Sequence, residues 1–173
     1  MRTLLTAVLL AVFCFAGCKS SSNGPVPRSV GNSPEPSTPQ MNAPLPDKAY
    51  KAELSLVTPL TTLKAGQKQT INVRVRNASD VMWLVYGTAV GNKYRVAVGN
   101  SWLDSSGKLV SNMDGRYGLP ADLRAGREVE VPLVITAPAN PGKYILQLDL
   151  VQEGVTWFQD KGSPVLKVNV DVQ

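Results

Sequence analysis

The chain has 173 residues, of which 43% are hydrophobic, and a formal net charge of +5. It contains no histidine, which excludes histidine-based catalytic relays and histidine-ligated metal sites. Its 18 lysines and arginines are interspersed with 13 aspartates and glutamates, whereas a protein that binds nucleic acid usually clusters its basic residues. We therefore expect no nucleic-acid partner, no cofactor and no enzymatic activity.

The N-terminus has the features of an export signal. Arg2 provides a positive charge, and residues 4–16 form an apolar run that contains one threonine. Such a run rises only about 20 Å as a helix, too little to cross the roughly 30 Å hydrocarbon core of a bilayer. Small residues follow directly, as a processing site requires. The sequence predicts a cleaved signal peptide that comprises residues 1–17.

The residues at the end of this signal point to lipidation. The segment Phe15-Ala16-Gly17-Cys18 resembles the lipobox of bacterial lipoproteins, although an aliphatic residue is usual at the place of Phe15. The resemblance implies acyl chains on Cys18 and a location in the cell envelope, facing the periplasm or the exterior. Lys19 is not the aspartate associated with inner-membrane retention in enteric bacteria, so the analogy favours the outer membrane. The alternative is an ordinary secretory signal that happens to end in Gly-Cys.

The segment that follows is predicted to be a tether. Residues 19–48 are rich in proline, serine, asparagine and glycine, so they have little apolar surface to bury and no means of offsetting the entropy of ordering. The tether would reach between about 30 Å as a random coil and about 90 Å when extended. A proline-rich ligand for a partner is the alternative. The expected organisation is a signal peptide (1–17), an acylated Cys18 with a disordered linker (18–48), and one domain (49–173).

Alternating apolar and polar residues dominate the predicted domain. Ile71, Val73 and Val75 alternate with polar residues, which is typical of a strand with one buried and one solvent-facing side. The same pattern recurs at residues 127–136, 143–151 and 166–172. Shorter strands are predicted at residues 53–58, 81–86, 94–103 and 155–158. Pro132 lies inside one of these runs, which predicts an edge strand or a bulge there.

Seven to nine short strands separated by turns indicate an all-β fold, an immunoglobulin-like antiparallel β-sandwich. Turn-forming residues occur at 77–80, 104–107 and 138–142. Residues 63–67 (LKAGQ) and 123–127 (LRAGR) are similar to each other, and each precedes an alternating run. We interpret these two segments as equivalent turns in the two sheets.

Short motifs in this domain are similar to those of four-tryptophan immunoglobulin-like domains. A strand that ends in Asn77-Ala78-Ser79 and is followed by Trp83 resembles their opening. Further matches follow in the same order: Ser101-Trp102-Leu103-Asp104, Leu119-Pro120-Ala121-Asp122-Leu123, Pro141-Gly142-Lys143-Tyr144 and Trp157-Phe158. Such domains occur in autophagy receptors, and similar bacterial modules accompany enzymes that act on sugars. The chain has only three tryptophans, so one signature position is replaced. The resemblance implies an accessory binding module and names no ligand.

Carboxylates are the remaining candidates for catalysis or metal binding. Glycosidase-like chemistry needs two acids at a defined separation, but the acids here lie at predicted solvent-facing positions or in turns. The acids in question are Asp104, Asp114, Asp149, Glu153 and Asp160. A calcium ion held by Asp104, Asp114 and backbone carbonyls is an alternative, although no loop has the spacing of a known calcium motif.

The pair Trp157-Phe158 provides a candidate binding surface. Neighbouring residues on a strand point to opposite faces, and the polarity of the flanking residues predicts that Trp157 is buried and Phe158 exposed. Phe158 would then either be covered by a loop or belong to a binding surface beside Asp160 and Lys161.

Arg116, Trp83 and Trp102 have two interpretations each. Arg116 could present its guanidinium to an anionic ligand, or pair with Asp114 or another acid. The two tryptophans either fill the core, as is usual in a sandwich, or stack on sugars.

Two classes of function therefore remain. One is a membrane-anchored module that binds a protein partner, for instance by strand addition at a sheet edge. The other is a lipoprotein that binds carbohydrate or another envelope polymer. Exposed aromatic residues along one face would favour the polymer, and an apolar patch beside an unpaired edge strand would favour the protein.

Overall fold

The computed structural model describes residues 43–85 and 92–173, and residues 112–114 by their backbone only. The alternating sequences form strands in this region. The strands are β1 (Ala52–Leu56), β2 (Thr62–Leu63), β3 (Lys68–Asn77), β4 (Val96–Asp104), β5 (Leu109–Gly118), β6 (Glu128–Thr136), β7 (Gly142–Gln152), β8 (Thr156–Trp157) and β9 (Leu166–Val172). Short 3-10 helices form at Asp47–Ala49 and Gln159–Lys161. In these same residues, no helix is long and apolar enough to span a bilayer.

The strands form two sheets. The smaller sheet has the order β1-β3-β6, and the larger has the order β2-β9-β7-β4-β5, with β8 paired to β7. The named strand pairs are antiparallel apart from β2 and β9, which run parallel. This strand order is that of an immunoglobulin-like sandwich, so the predicted fold class is confirmed. Pro132 lies on β6, at the edge of the smaller sheet, as predicted.

The core lies between the two sheets. Val73 and Val75 of β3 are fully buried, and so are Leu146 and Leu148 of β7. Burial of each such side chain contributes about 1.5–3 kcal/mol relative to leaving it in water. Both strand tryptophans belong to this core, since Trp83 is 0% exposed and Trp102 is 1% exposed. Their interpretation as core residues is therefore confirmed.

The segment after β3 is a buried turn, and the strand predicted for residues 81–86 is wrong for the described part, 81–85. The Asn77 side-chain amide donates to the carbonyls of Val81 (2.8 Å) and Leu123 (2.9 Å). These bonds satisfy backbone groups that would otherwise need a strand partner. Trp83 forms only an isolated bridge with Leu123. Asn77 thereby directs Trp83 into the core without a regular strand.

Strand β5 is the element that the alternation did not reveal. Its pairing with β4 shifts register between Gly99 and Ser101 and again between Trp102 and Leu103. A bulge inserts a residue on one strand and breaks the period of two. The sequence of β5, LVSNMDGRYG, therefore lacks the regular alternation of its neighbours.

The two similar segments 63–67 and 123–127 form equivalent turns, as predicted, but they do not lie in different sheets. Gly66 (φ 70°) and Gly126 (φ 72°) both adopt the left-handed conformation that favours glycine. The turns lead into β3 and β6, which pair with each other in the smaller sheet. The assignment to two sheets is therefore wrong.

The described residues belong to one compact unit, and its folded part begins before the predicted boundary at residue 49. The side-chain oxygen of Gln152 accepts hydrogen bonds from the Leu45 backbone (2.9 Å) and the Tyr50 hydroxyl (2.6 Å). Ala49 and Tyr50 are buried. Residues 43–48, predicted to belong to the disordered linker, are thus bound to the domain through a side chain distant in sequence.

Candidate functional site

The outward-facing side of the larger sheet carries the candidate site. Leu148 and Leu150 of β7 point into the core, so Asp149 between them points outwards, together with its partner Gly99 on β4. Trp157 of β8 lies over Gly99, because a Cβ atom added to Gly99 would be 2.8 Å from the indole ring. Gly99 does not have a positive φ, so its backbone conformation does not require glycine. The indole ring can lie this close because residue 99 has no side chain.

A small polar pocket lies beside this contact, with a volume of about 120 Å³. Its lining residues carry carboxylate, amide, hydroxyl and indole groups: Ser101, Gln147, Asp149, Trp157 and Gln159. We call this the indole pocket. Its groups can donate and accept hydrogen bonds to a polar ligand.

Asp149 is the buried acid of this face, with 4% of its surface exposed. Burial raises the pKa of its carboxyl to about 6, although hydrogen bonds from the backbone N–H groups of Gln159 and Leu150 act in the opposite direction. The bond from Leu150 is 2.7 Å long and the bond from Gln159 is 3.2 Å. The prediction that Asp149 is a solvated acid is wrong, because the segment after β7 covers it.

Arg116 lies over Trp157 and forms an ion pair with Glu153. The Arg116 guanidinium carbon lies 4.9 Å from the centre of the indole ring, and Arg116 Nη1 is 2.8 Å from Glu153 Oε2. The two side chains are 29% and 22% exposed, so solvent screens this ion pair less than a fully exposed one. The interpretation that Arg116 pairs with an acid is confirmed, with Glu153 as that acid.

A second and larger pocket, of about 330 Å³, is lined in part by Arg116. It is located where β4 begins and β5 ends, since these strands are antiparallel. Its lining includes Asn92, Arg95, Arg116, Tyr117 and Gly118. We call this the arginine pocket.

Phe158 lies in the core and not on the surface. It is 0% exposed, and its ring packs edge-on against Tyr50 (5.0 Å between centroids) and Trp83 (5.2 Å). Trp157 is the partly exposed residue of the pair. The predicted facing is therefore wrong, and Phe158 is not available as a surface contact. The reason is local: the backbone of Phe158 is helical (φ −67°, ψ −34°) and precedes the 3-10 helix, so the strand alternation ends at Trp157.

Asp160 and Lys161 are exposed residues of that 3-10 helix. Lys161 forms an ion pair with Asp47 at 2.8 Å, which links the start of the domain to this helix. Asp160 accepts a hydrogen bond from the Thr156 hydroxyl at 3.3 Å. Neither residue lines the indole pocket or the arginine pocket.

The residues considered for metal binding do not assemble. Asp104 Oδ1 accepts hydrogen bonds from the Ser106 backbone, the Ser106 hydroxyl and the Lys108 backbone, and the bond from the Ser106 side chain is the main cause that lowers the Asp104 pKa. Within residues 43–85 and 92–173, no three His, Cys, Asp or Glu side chains are grouped as metal ligands. The Asp114 side chain lies outside the described residues, and so does Cys18.

Sequence reasoning missed Gly99, Gly118, Arg95 and Trp157 as parts of this surface. A signal was present, because glycine inside a strand often marks a close approach of another group. Gly99, inside the strand predicted at residues 94–103, carries this signal, whereas Gly118 does not, because the alternation did not reveal β5.

Comparisons with known proteins identify no family for this chain. No family model and no curated protein matches it. Solved structures do match. The CARDB domain of a protein from Pyrococcus furiosus, in complex with di-metal ions, has 13% identity and a TM-score of 0.42, over 71% of this chain and 86% of that one.

Two further structures have similar scores. A beta-glucosidase from Listeria innocua has 16% identity and a TM-score of 0.39, over 71% of this chain and 16% of that one. The sporulation control protein Spo0M from Bacillus subtilis has 11% identity and a TM-score of 0.40, over 71% of this chain and 49% of that one. Scores this low carry no conclusion about function, and the fold assignment rests on the strand order of the chain itself.

Proposed function

We propose that this chain is a lipid-anchored protein of the bacterial cell envelope that presents a non-catalytic β-sandwich to a protein partner. The anchor is supported by the lipobox-like residues that end in Cys18. Each acyl methylene contributes about 0.8 kcal/mol to membrane binding, so two or three chains hold a protein at the membrane almost permanently.

The edge of β5 is the observation that supports a protein partner. β5 ends the larger sheet, and Leu109 and Val110 at its start are 48% and 47% exposed. Val110 is the extra residue of a bulge, between the pairs Leu103–Leu109 and Trp102–Ser111, so this edge presents two neighbouring exposed apolar side chains. An extended peptide that adds to such an edge gains main-chain hydrogen bonds and apolar contacts together.

The neighbouring sheet restricts which part of β5 is open. The carbonyl of Val134 on β6 approaches Gly115 so closely that a Cβ atom there would collide with it. The accessible edge is therefore the first third of β5, around Leu109 and Val110. The turn that precedes it is solvent-exposed, so a partner strand can approach from that end.

A carbohydrate or another envelope polymer is the second candidate ligand. Tyr117 is 46% exposed, and the partly exposed Trp157 borders the polar groups of the indole pocket. Aromatic rings beside hydrogen-bonding side chains suit a sugar, because they offer an apolar face and polar contacts at once.

Capture from envelope extract with the tagged full chain tests the edge. Val110→Lys places a charge on the strand edge, which opposes strand addition, so it should abolish capture of a specific partner. Val57→Lys is the matched control, since Val57 is 37% exposed and lies outside the strands. Equal capture by both variants would contradict recognition at β5. Binding to a polysaccharide array without any captured protein would favour the second candidate.

Metabolic labelling with a fatty acid tests the anchor separately. The wild-type chain should incorporate label, and Cys18→Ala should not. Equal incorporation by the two chains would rule out a lipid at Cys18.

A further inference from the structure

Asp149, the buried acid that lines the indole pocket, has no cationic partner in the domain. Among the described residues, no lysine or arginine nitrogen lies within ion-pair distance of its carboxylate. The parts of the domain that the structure leaves undescribed, residues 86–91 and the side chains of 112–114, include neither lysine nor arginine. Residues 43–173 therefore supply no ion-pair partner, whereas a buried aspartate in a protein is usually paired.

The Asp149 carboxylate can accept further hydrogen bonds. The Leu150 N–H donates to Oδ1 at 2.7 Å, and the Gln159 N–H donates to Oδ2 at 3.2 Å. These two bonds use about half of the four that an ionised carboxylate can accept. With a pKa of about 6 the group is mostly ionised at pH 7, although burial disfavours its charged form. A cation in the pocket would offset this unfavourable burial.

The groups beside Asp149 suit an ammonium ion. Gln147 Nε2 donates to Gln159 Oε1 at 3.3 Å, so the Gln147 oxygen Oε1 is the end of that amide left for a ligand. Both glutamines line the pocket. An ammonium group donates three hydrogen bonds and accepts none, which matches one carboxylate and two amide oxygens. Trp157 in the same lining offers an apolar surface to a methylene stem.

The described charged groups around Asp149 come from three neighbouring elements. Asp160, on the 3-10 helix after β8, raises the pKa of Asp149 by charge repulsion, which an incoming positive charge would relieve. Arg116 on β5 forms an ion pair with Glu153. Lys167 on β9 lies opposite Gln147 and is exposed. Neither of these two cations is within ion-pair distance of Asp149, so neither takes the place of a bound ammonium group.

The size of the indole pocket favours the end of a side chain. Its volume of about 120 Å³ is below the roughly 300–1,000 Å³ of pockets that enclose a small molecule. Lysine carries its ammonium group at the tip of a flexible four-carbon stem, so the tip can enter alone. An amino sugar carries its nitrogen directly on the ring, so the ring would have to enter as well.

We propose that the indole pocket binds a lysine side chain of the protein partner, with the ammonium group on Asp149. This inference rests on the proposed function in one respect, since it assumes that the partner is a protein. The site itself is built from residues of β4, β7, β8 and the 3-10 helix that follows. It requires neither the lipid anchor nor strand addition at β5.

Titration of the purified full chain with Nα-acetyl-lysine methylamide tests this site by NMR, which detects the weak binding of a single side chain. The Asp149 ¹³Cγ resonance, assigned through the backbone of this residue, should shift saturably at pH 7. The norleucine analogue, which lacks the ammonium group, should bind about tenfold more weakly or worse. Protons and the ammonium group compete for one carboxylate, so the affinity should fall about tenfold per pH unit well below pH 6.

Two variants that each remove one carboxylate complete the test, with the Trp157 indole N–H resonance as the readout. Asp149→Asn should weaken binding of the lysine probe about tenfold or more. Asp160→Asn is the matched control, because it removes the same charge from an exposed residue that does not line the pocket, and it should change the affinity by less than about threefold. If Asp149→Asn does not fold, the wild-type Cγ titration and its pH dependence decide alone.

Any of four results would overturn the proposal. The first two are the absence of a saturable shift at Asp149 Cγ and an affinity that does not change between pH 7 and pH 5. The third is equal affinity of the wild type and folded Asp149→Asn. The fourth is that the norleucine analogue or glucosamine binds as tightly as the lysine probe, since a lysine ammonium group would then not be what is recognised. Val110→Lys should bind the probe like the wild type, so failure at this site and failure of capture through β5 are read separately.

Discussion

The two outer faces of the sandwich have similar polar patterns in sequence and different environments in the structure. On the smaller sheet, Arg74 pairs with Glu130 at 2.9 Å and Arg76 pairs with Glu53 at 2.7 Å, and all four side chains are 43–59% exposed. These charges compensate one another in water, where an ion pair contributes little to stability.

On the larger sheet, the segment after β7 covers part of the outer face, around Gly99 and Asp149. Trp157 lies on Gly99, and Asp149 beneath the following 3-10 helix is only 4% exposed. A covered face holds charged groups in fixed positions and shifts their pKa. The comparison shows that a short loop segment can turn a solvent-facing sheet surface into a second packed layer.

The largest expected effect concerns the residue that anchors this covering segment. Phe158→Ala should lower the free energy of unfolding by about 3–5 kcal/mol, because a fully buried aromatic ring is removed. Trp157→Ala should cost less, since its ring is partly exposed. Chemical denaturation of both variants measures the difference. An equal decrease in the free energy of unfolding of the two variants would show that the segment covering the larger sheet contributes as much to stability as the core does.

The second effect is a pH dependence at Asp149. Its pKa of about 6 in the folded state exceeds the value of about 3.9 in an unfolded chain. The folded state therefore holds this proton more tightly, and the stability that it contributes is lost as the pH rises from about 4 to about 6. The loss amounts to about 3 kcal/mol.

Asp149→Asn has no ionisable carboxyl group at this position, so its free energy of unfolding should not show this decrease with rising pH. The free energy of unfolding of the wild type, relative to the variant, should fall between about pH 4 and pH 7. Denaturation of both chains across this range is the measurement. A constant difference between them would contradict the raised pKa and the burial of this face.

The third effect concerns the contact between Gly99 and Trp157. Gly99→Ala should destabilise the fold by about 1–3 kcal/mol, because the new methyl group meets the indole ring. In a chain that also carries Trp157→Ala, the same change should have little effect, since the colliding ring is absent. If Gly99→Ala lowers the free energy of unfolding equally in both backgrounds, the added methyl group collides with a group other than the indole ring.

The smallest effect is expected on the smaller sheet. Arg76→Gln removes one partner of an exposed ion pair, and solvent replaces the lost contact. The thermal midpoint should not change measurably. A clear drop would mean that this face is more than a solvated surface, and it would weaken the contrast between the two sheets.

Sequence reasoning was accurate where one face of a strand is buried and the other is in water. The alternation over β3, β6, β7 and β9 identified the strands because local periodicity records this asymmetry. It did not find β5, whose bulges break the period. It assigned Phe158 to the surface because it extended an alternation that ends one residue earlier, at Trp157.

The sequence by itself determined the all-β class, since this follows from the local alternation of apolar and polar residues. It left Pro132 at an edge or a bulge and Trp83 and Trp102 in the core or on sugars, and the strand order and burial of the folded chain decided both. Only the tertiary structure decided which polar residues lose contact with water. Asp149 is buried by a segment that folds back over its own strand, and Arg95 is confined by a glycine on another strand. Such environments depend on contacts between residues far apart in the chain, which no local pattern records.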